Sequence, residues 1–380
     1  MVLFYPWLPA RVAGHGSATL LAALLPGLAA KAEVHLVCGR LAHEKSMEPS
    51  VQALVASARV VELPHVASLR GVARAKEALA TGLKMSCRGL PLFAAKQWRR
   101  ALVSALQDTL QRVRPDVLHL EIGAVAPYAA LSKALPTVLV DHEVLDTPES
   151  RAFIQKHYAR IDVLQTLCTH DAEVLSALLE REVGVRAVAL ADAAIVQRAP
   201  VPGRMLFVGS PRHAPNRSAL AFLCEQVLPA MASRSPTVKP QLRVVGASAE
   251  EFGMPPQAAV EFAGRVNDVE AELARAAVFL APVSEGGGVR IKNCEALRAG
   301  VPLVTTPLGM HGLEEFAGQG VRVAPLRNFA DAVLEVLGHP ARAEAQAQTM
   351  AQLWRTTRTC ARSVDETVAM WEQALSTRRR

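Results

Sequence analysis

Between residues 279 and 306 the chain reads as a short apolar strand, three consecutive glycines (Gly286, Gly287, Gly288), a helix that opens on two cations (Arg290, Lys292), a helix-ending glycine (Gly300) and a second apolar strand. Strand, glycine turn, helix and strand in so short a span are the alternation of a parallel α/β sheet. The segment also carries chemistry. Three glycines let the backbone approach a ligand closely, and the unpaired N–H groups and dipole of a helix start favour an anion. Arg290 and Lys292 add fixed positive charge there. Glu295, about one turn on, has a carboxylate able to accept two hydroxyl hydrogen bonds from a sugar ring. Phosphate at one end and ribose at the other describe a nucleotide. Glycine turns of this kind are common in α/β proteins and often only pack, so the three glycines alone leave packing and binding equally open.

The same alternation runs along the rest of the chain. Strands over 1–5, 33–38, 117–120, 137–141 and 162–166 alternate with helices over 17–30, about 97–113, 149–159 and 170–182, which predicts a first Rossmann-like domain over 1–198. The stretch 198–203, Arg-Ala-Pro-Val-Pro-Gly, has the Pro/Gly density of a linker. A second αβ series fills 203–340, and 341–380 reads as helical. In open α/β sheets ligands sit at the carboxyl ends of the strands. Gly14, His15 and Gly16 fall between the first strand and the first helix, with Ser17 placed to cap that helix. His142 and Glu143 follow the strand over 137–141. A histidine in that position is more often a structural hydrogen-bonder than a catalytic group, and the carboxylate of Glu143 is suited to orienting or deprotonating a hydroxyl.

Composition agrees with two soluble domains. The chain has 380 residues, 51% of them hydrophobic and 20% charged, ample for two cores. No apolar run reaches the length of about eighteen residues that suggests a membrane span, and the N-terminus lacks the basic-then-apolar layout of a signal peptide, so a cytoplasmic location is expected. The six cysteines, Cys38, Cys87, Cys168, Cys224, Cys294 and Cys360, form no C-x-x-C pair, and the histidines show no ligand spacing. Neither a disulfide framework nor a metal site is suggested. The net charge of +7 calls for an anionic partner. Nucleic acid is disfavoured, because aromatics make up only 4% of the chain and no cationic stripe carries them interleaved. The segment 84–100 mixes cations with Leu90, Leu92, Phe93 and Trp98, which suits peripheral contact with an anionic membrane as well as it suits an ordinary surface helix.

The glycine segment, read as G-G-G-x-R-x-K-x-x-E-A, resembles the donor-site motif of the retaining GT-B glycosyltransferases of family 4. Met205 to Ser210 with Pro215 and Asn216 is similar to that family's first strand and turn, Leu242 to Gly246 to its second strand, and Val260 to Asp268 to its F-x-G-x-V-x-D turn. Pro307 to Glu314 matches the loop after the donor helix. The resemblance is strong over about 203–340 and weak before it. It implies the GT-B fold: an α/β chain of two Rossmann-like domains facing across a cleft, with the last helix, placed over 364–375 with Trp371, crossing back to the first domain.

The resemblance further implies that Gly209, Gly286, Gly287, Gly288, Arg290, Lys292 and Glu295 bind the donor nucleotide. It gives Gly14 and Gly16 contact with the sugar or phosphate, and has His142 face the donor sugar. Two departures stand out. The family's first glutamate of the donor region is replaced by Gly287, leaving Glu285 to reach the sugar. Its two cations after the first strand of the second domain are replaced by Ser210 and Asn216, leaving Arg290 and Lys292 to hold the diphosphate. The implied activity is metal-independent hexosyl transfer from a nucleotide-diphosphate sugar to an acceptor hydroxyl on a glycan or lipid-linked precursor of cell-surface polysaccharide or glycolipid, with no cofactor. A GT-B nucleotide-sugar epimerase and a non-catalytic nucleotide-sugar-binding homologue are the alternatives.

Overall fold

A computed structural model describes residues 1–10, 16–42, 44, 46–64, 69–132, 134–191, 197–235, 240–255 and 257–378. The chain divides into two compact units, Met1–Ala191 with Cys360–Arg380, and Asp192–Thr359. Residues 341–359, expected among a separate set of terminal helices, lie in the second unit, and the expected linker at 198–203 lies inside it as well.

The first unit is built on β1 (Val2–Tyr5), β2 (His35–Leu41), β3 (Ser57–Leu63), β4 (Leu118–Glu121), β5 (Thr137–Asp141), β6 (Val163–Thr166) and β7 (Gly184–Val185). They form one sheet in the order β3-β2-β1-β4-β5-β6-β7, with every pairing parallel. Every residue of β1, β4 and β5 is buried, as parallel strands covered on both faces require. The stretch 39–96 contains β3, whose half-exposed residues mix polar and apolar types because it is the sheet's edge, and the helix Gly71–Arg88. The helix expected over about 97–113 spans Arg100–Val113, and a separate short helix, Leu92–Gln97, precedes it, the two parted where Trp98 turns extended. Leu90 and Trp98 are buried, so the expected interfacial segment 84–100 does not offer them to a membrane.

The helix Cys360–Thr377 completes this unit. Its Ser363 hydroxyl donates to Ala187 O at 2.6 Å, its Glu366 carboxylate accepts from Ala187 N at 2.7 Å, and Trp371 is buried. It passes so close to the helix Gly16–Lys31 that a Cβ on Gly27 would meet Val364 Cγ2 at 2.6 Å.

The second unit carries β8 (Arg204–Val208), β9 (Gln241–Val245), β10 (Val260–Gly264), β11 (Val278–Ala281), β12 (Leu303–Thr305) and β13 (Val321–Val323), all parallel, in the order β10-β9-β8-β11-β12-β13. Strand order reverses at β8/β11 here and at β1/β4 in the first sheet. Such switch points open a crevice at the strands' carboxyl ends. The glycine loop follows β11, and Glu121 ends β4.

Candidate functional site

In the second unit, β11 ends at Ala281 and the chain runs through the three glycines into the helix Ile291–Ala299, which Gly300 terminates at φ 66°. Gly286 and Gly288 take φ of 93° and 71°, a region that residues with a Cβ rarely enter. The loop conformation therefore depends on glycine at both positions. Arg290 bends back over the loop, its guanidinium donating to Gly287 O at 2.8 Å and Glu285 O at 3.2 Å. Glu285 is exposed, and its carboxylate accepts from the Ser218 hydroxyl at 3.3 Å.

Lys292 reaches across to the helix Ala214–Phe222 that follows β8. Its Nζ donates to Asn216 Oδ1 at 3.0 Å, and Asn216 Nδ2 donates to Ser210 O at 2.9 Å. The Lys292 ammonium is thereby held beside Ser210 and Asn216. Burial lowers the Lys292 ammonium to about 8, against the attraction of Glu295. Glu295 lies one turn on; burial raises its carboxyl, while Lys292 and Arg298 oppose the rise. Gly209 serves close packing. Its carbonyl lies against Gly246, at φ 123°, where a Cβ would collide with it. Asn293, Thr305, Thr306 and Gly309, none of them a candidate from sequence, make bonds that join the neighbouring loops. Asn293 Nδ2 donates to Gly309 O at 2.8 Å, Thr305 Oγ1 to Ala281 O at 2.8 Å and Thr306 Oγ1 to Val283 O at 2.6 Å. A buried asparagine in a helix that is otherwise apolar on that face was the available signal.

The first unit holds a second constellation at the ends of β4 and β5. Glu121 is completely buried. Its carboxylate accepts from Arg186 at 2.6 and 3.2 Å, and His142 Nε2 lies 2.5 Å from Oε2. Burial alone would raise this carboxyl; Arg186, with the hydrogen bonds from His119 and His142, holds it well below the ordinary range. Trp371 Nε1 donates to His119 Nδ1 at 3.0 Å, so His119 accepts there and its Nε2 faces Glu121 Oε1 at 3.1 Å. Burial lowers the pKa of His119, which favours the neutral ring. The next residue, Ile122, has φ 76°, an outlier for a β-branched side chain and the kind of strain that clusters at functional sites.

Asp141 sits beside this network. Tyr158 donates to its Oδ2 at 2.5 Å and Gly123 N to its Oδ1 at 3.0 Å, and a Cβ at position 123 would run into both side chains. Burial raises Asp141 to about 6, although the Tyr158 and Glu143 hydrogen bonds favour its charged form. The native unit therefore keeps a proton between about pH 4 and 6 that the unfolded chain releases, and stability falls as pH rises through that window. Asp141→Asn removes this fall. From pH 4 to 7 the variant gains about 3 kcal/mol relative to the wild type, followed by thermal melts across pH; a gap that stays constant or narrows refutes the assignment. Glu121, Arg186, His119, Asp141 and Tyr158 were missed because each reads as part of an ordinary strand, helix or loop. Gly16 begins the helix after β1, where Ser17 pairs with Tyr5 at 2.7 Å; Gly14 and His15 lie outside the described residues. Among the described residues no group of three His, Cys, Asp or Glu could hold a metal ion, and no helix is long and apolar enough to cross a membrane.

Residues 202–339 match the family model described as glycosyl transferases, group 1. A search of curated protein sequences finds no match. Among solved structures, sucrose-phosphate synthase from Thermosynechococcus elongatus is similar over 99% of both chains, with TM-score 0.68 and 14% identity. The UDP-forming α,α-trehalose-phosphate synthase of Burkholderia vietnamiensis is similar over 99% of this chain and 97% of its own, with TM-score 0.68 and 11% identity. The E. coli trehalose-6-phosphate enzyme bound with UDP-2-fluoro glucose covers 98% and 99%, with TM-score 0.67 and 10% identity. The chain has the GT-B fold, and the part of its second unit over 202–339 is similar to the group 1 glycosyltransferases.

Proposed function

We propose that the chain is a retaining hexosyltransferase that moves a sugar from a nucleotide diphosphate to an acceptor hydroxyl, in cell-surface polysaccharide or glycolipid synthesis at the cytoplasmic face of the membrane. The observation that carries this reading is Lys292, anchored on Asn216 beside a three-glycine loop at the switch point of the second sheet. In the transfer, the bond from the anomeric carbon to the diphosphate oxygen breaks and one to the acceptor oxygen forms. The acceptor loses its proton, and the nucleoside diphosphate leaves with extra negative charge. A cation and helix N–H groups aimed in advance at that charge lower the barrier without a metal ion. Glu285 belongs to the approach of the donor in this reading, and the roles of His142, Gly14 and Gly16 toward the sugar are those the resemblance implies. The solved neighbours named for UDP make uridine diphosphate the first donor nucleotide to try.

A thermal-shift screen of nucleoside diphosphates tests the site. A ligand present at a hundred times its Kd adds about 2.7 kcal/mol of stability, and no shift with any nucleoside diphosphate counts against the reading. Glu295→Ala should weaken nucleotide affinity roughly ten- to a hundredfold, because hydrogen bonds to a charged group are worth about 1.5–3 kcal/mol. Unchanged affinity by calorimetry removes Glu295 from the ribose. Transfer of label from nucleotide sugar to a polyprenyl-phosphate-linked acceptor, undiminished by excess chelator, is the expected activity. Conversion of the donor to an epimer without acceptor selects the epimerase instead, and binding with no turnover selects the non-catalytic homologue.

A further inference from the structure

The helix Gly71–Arg88 is inside out. None of its residues is buried. The side toward the rest of its unit is polar: Glu77 pairs with Arg99, Lys84 Nζ donates to Ala95 O at 3.3 Å, and the Arg88 guanidinium lies 4.9 Å from the centre of the Trp98 ring. Val72, Leu79 and Leu83, spaced to share one face of a helix, are exposed by 71%, 66% and 54%. Folding on its own gives an amphipathic helix the opposite orientation, because burying an aliphatic side chain is worth about 1.5–3 kcal/mol. The Glu77–Arg99 pair and the Trp98 stacking hold this helix with its apolar stripe outward.

Charge says what the stripe meets. Residues 70–100 hold eight of the chain's 42 Lys and Arg, and one of its 35 Asp and Glu, Glu77. Outside this segment 34 cations face 34 acids, so the whole net charge of +7 resides here. Lys76 lies on the apolar face itself, and exposed Leu92 and Lys96 continue the mixture on the next helix. An apolar stripe flanked by cations fits the headgroup and acyl boundary of an anionic bilayer, where lysine and arginine stems bury their methylenes and leave their charges at the phosphates.

We infer that the face bearing Val72, Lys76, Leu79 and Leu83 docks on an anionic membrane surface, with the helix lying in the interface plane. This extends the peripheral contact in the proposed function but rests on different residues from the donor site, so vesicle binding and sugar transfer can fail independently. Full-length protein is sedimented with vesicles of phosphatidylcholine alone and with vesicles of equal parts phosphatidylglycerol and phosphatidylcholine. The wild type should pellet with the second and stay in solution with the first, and its binding should weaken as salt rises.

Leu79→Ser with Leu83→Ser should weaken that binding more than tenfold. Lys76→Glu with Lys96→Glu should weaken it about twenty-five-fold, from about fivefold per cation lost. Because all four side chains are exposed, both variants should melt as the wild type does and keep their affinity for nucleoside diphosphates. A wild type that ignores anionic vesicles, or variants that bind them undiminished, overturns the inference. So does concentration-dependent dimerisation abolished by the two serines without vesicle binding, which gives the stripe to a second copy of the chain.

Discussion

Replacing Lys292 with alanine should lower kcat/KM for sugar transfer about 100- to 1000-fold, because loss of one preorganised donor to a developing negative charge costs about 2.7–4 kcal/mol. Ser210 and Asn216 are uncharged, and Asn216, on the helix Ala214–Phe222, holds the Lys292 ammonium at 3.0 Å. The loss should track phosphate charge: affinity for a nucleoside diphosphate falls while affinity for the bare nucleoside hardly changes. With Lys292 lowered to about 8 by burial, diphosphate affinity in the wild type should also weaken as pH rises through that value, because the ammonium loses its proton, and K292A should lack this dependence. Arg290→Ala acts by another route. Its guanidinium binds the carbonyl oxygens of Gly287 and Glu285, so its loss frees the glycine loop as well as removing charge. Near-normal transfer by the double variant, or a wild type silenced by chelator and restored by magnesium, would overturn the role given to both cations.

The largest stability effect is expected in the first unit. Glu121→Ala leaves Arg186 with a buried, unpaired guanidinium and takes an acceptor from His142, and breaking a buried pair in this way costs about 3–5 kcal/mol. For a unit of this size that lowers the thermal midpoint by roughly 6–20 °C, read by calorimetry as a shift of one transition because the two units need not melt together. Replacing both partners, Glu121→Leu with Arg186→Met, should recover most of the loss, since apolar groups carry no desolvation penalty. A single variant within 1 kcal/mol of wild type shows that the pair is not holding the unit together. Since the folded-state carboxyl is held well below its ordinary value near 4.5, the stabilisation from Glu121 is full above that value and is lost as pH falls toward the folded-state value. Asp141, with a raised value, changes stability in the opposite direction over pH 4 to 6.

How much of this was legible in the chain depended on sequence distance. The β11–glycine–helix–β12 unit is local: apolar runs, glycines at positive φ and the helix stop at Gly300 lie within a few residues of one another, and short-range sterics decide them. The buried strands β1, β4 and β5 are equally plain as apolar runs, whereas the half-exposed edge strand β3 gives no such signal. Parallel sheets follow from the alternation, but β3 and the two-residue β7 of the first sheet do not. Contacts between residues far apart were not legible. Asn216 meets Lys292 across 76 positions and His119 meets Trp371 across 252. Nothing in the character of either partner announces the other.

The sequence by itself therefore determined the two series of alternating elements and the residues around the glycine loop, because propensity, periodicity and backbone sterics act over a few residues. Tertiary structure decided which charges neutralise one another. Glu121 reads as the last residue of a strand until the fold brings Arg186 and His142 to it, and that company keeps its carboxylate ionised against the effect of burial. It also decided which way the helix Gly71–Arg88 turns. Periodicity gives that helix an apolar face and a polar face, but the direction in which they point depends on Arg99 and Trp98, which hold Glu77 and Arg88 and leave Val72, Leu79 and Leu83 in water.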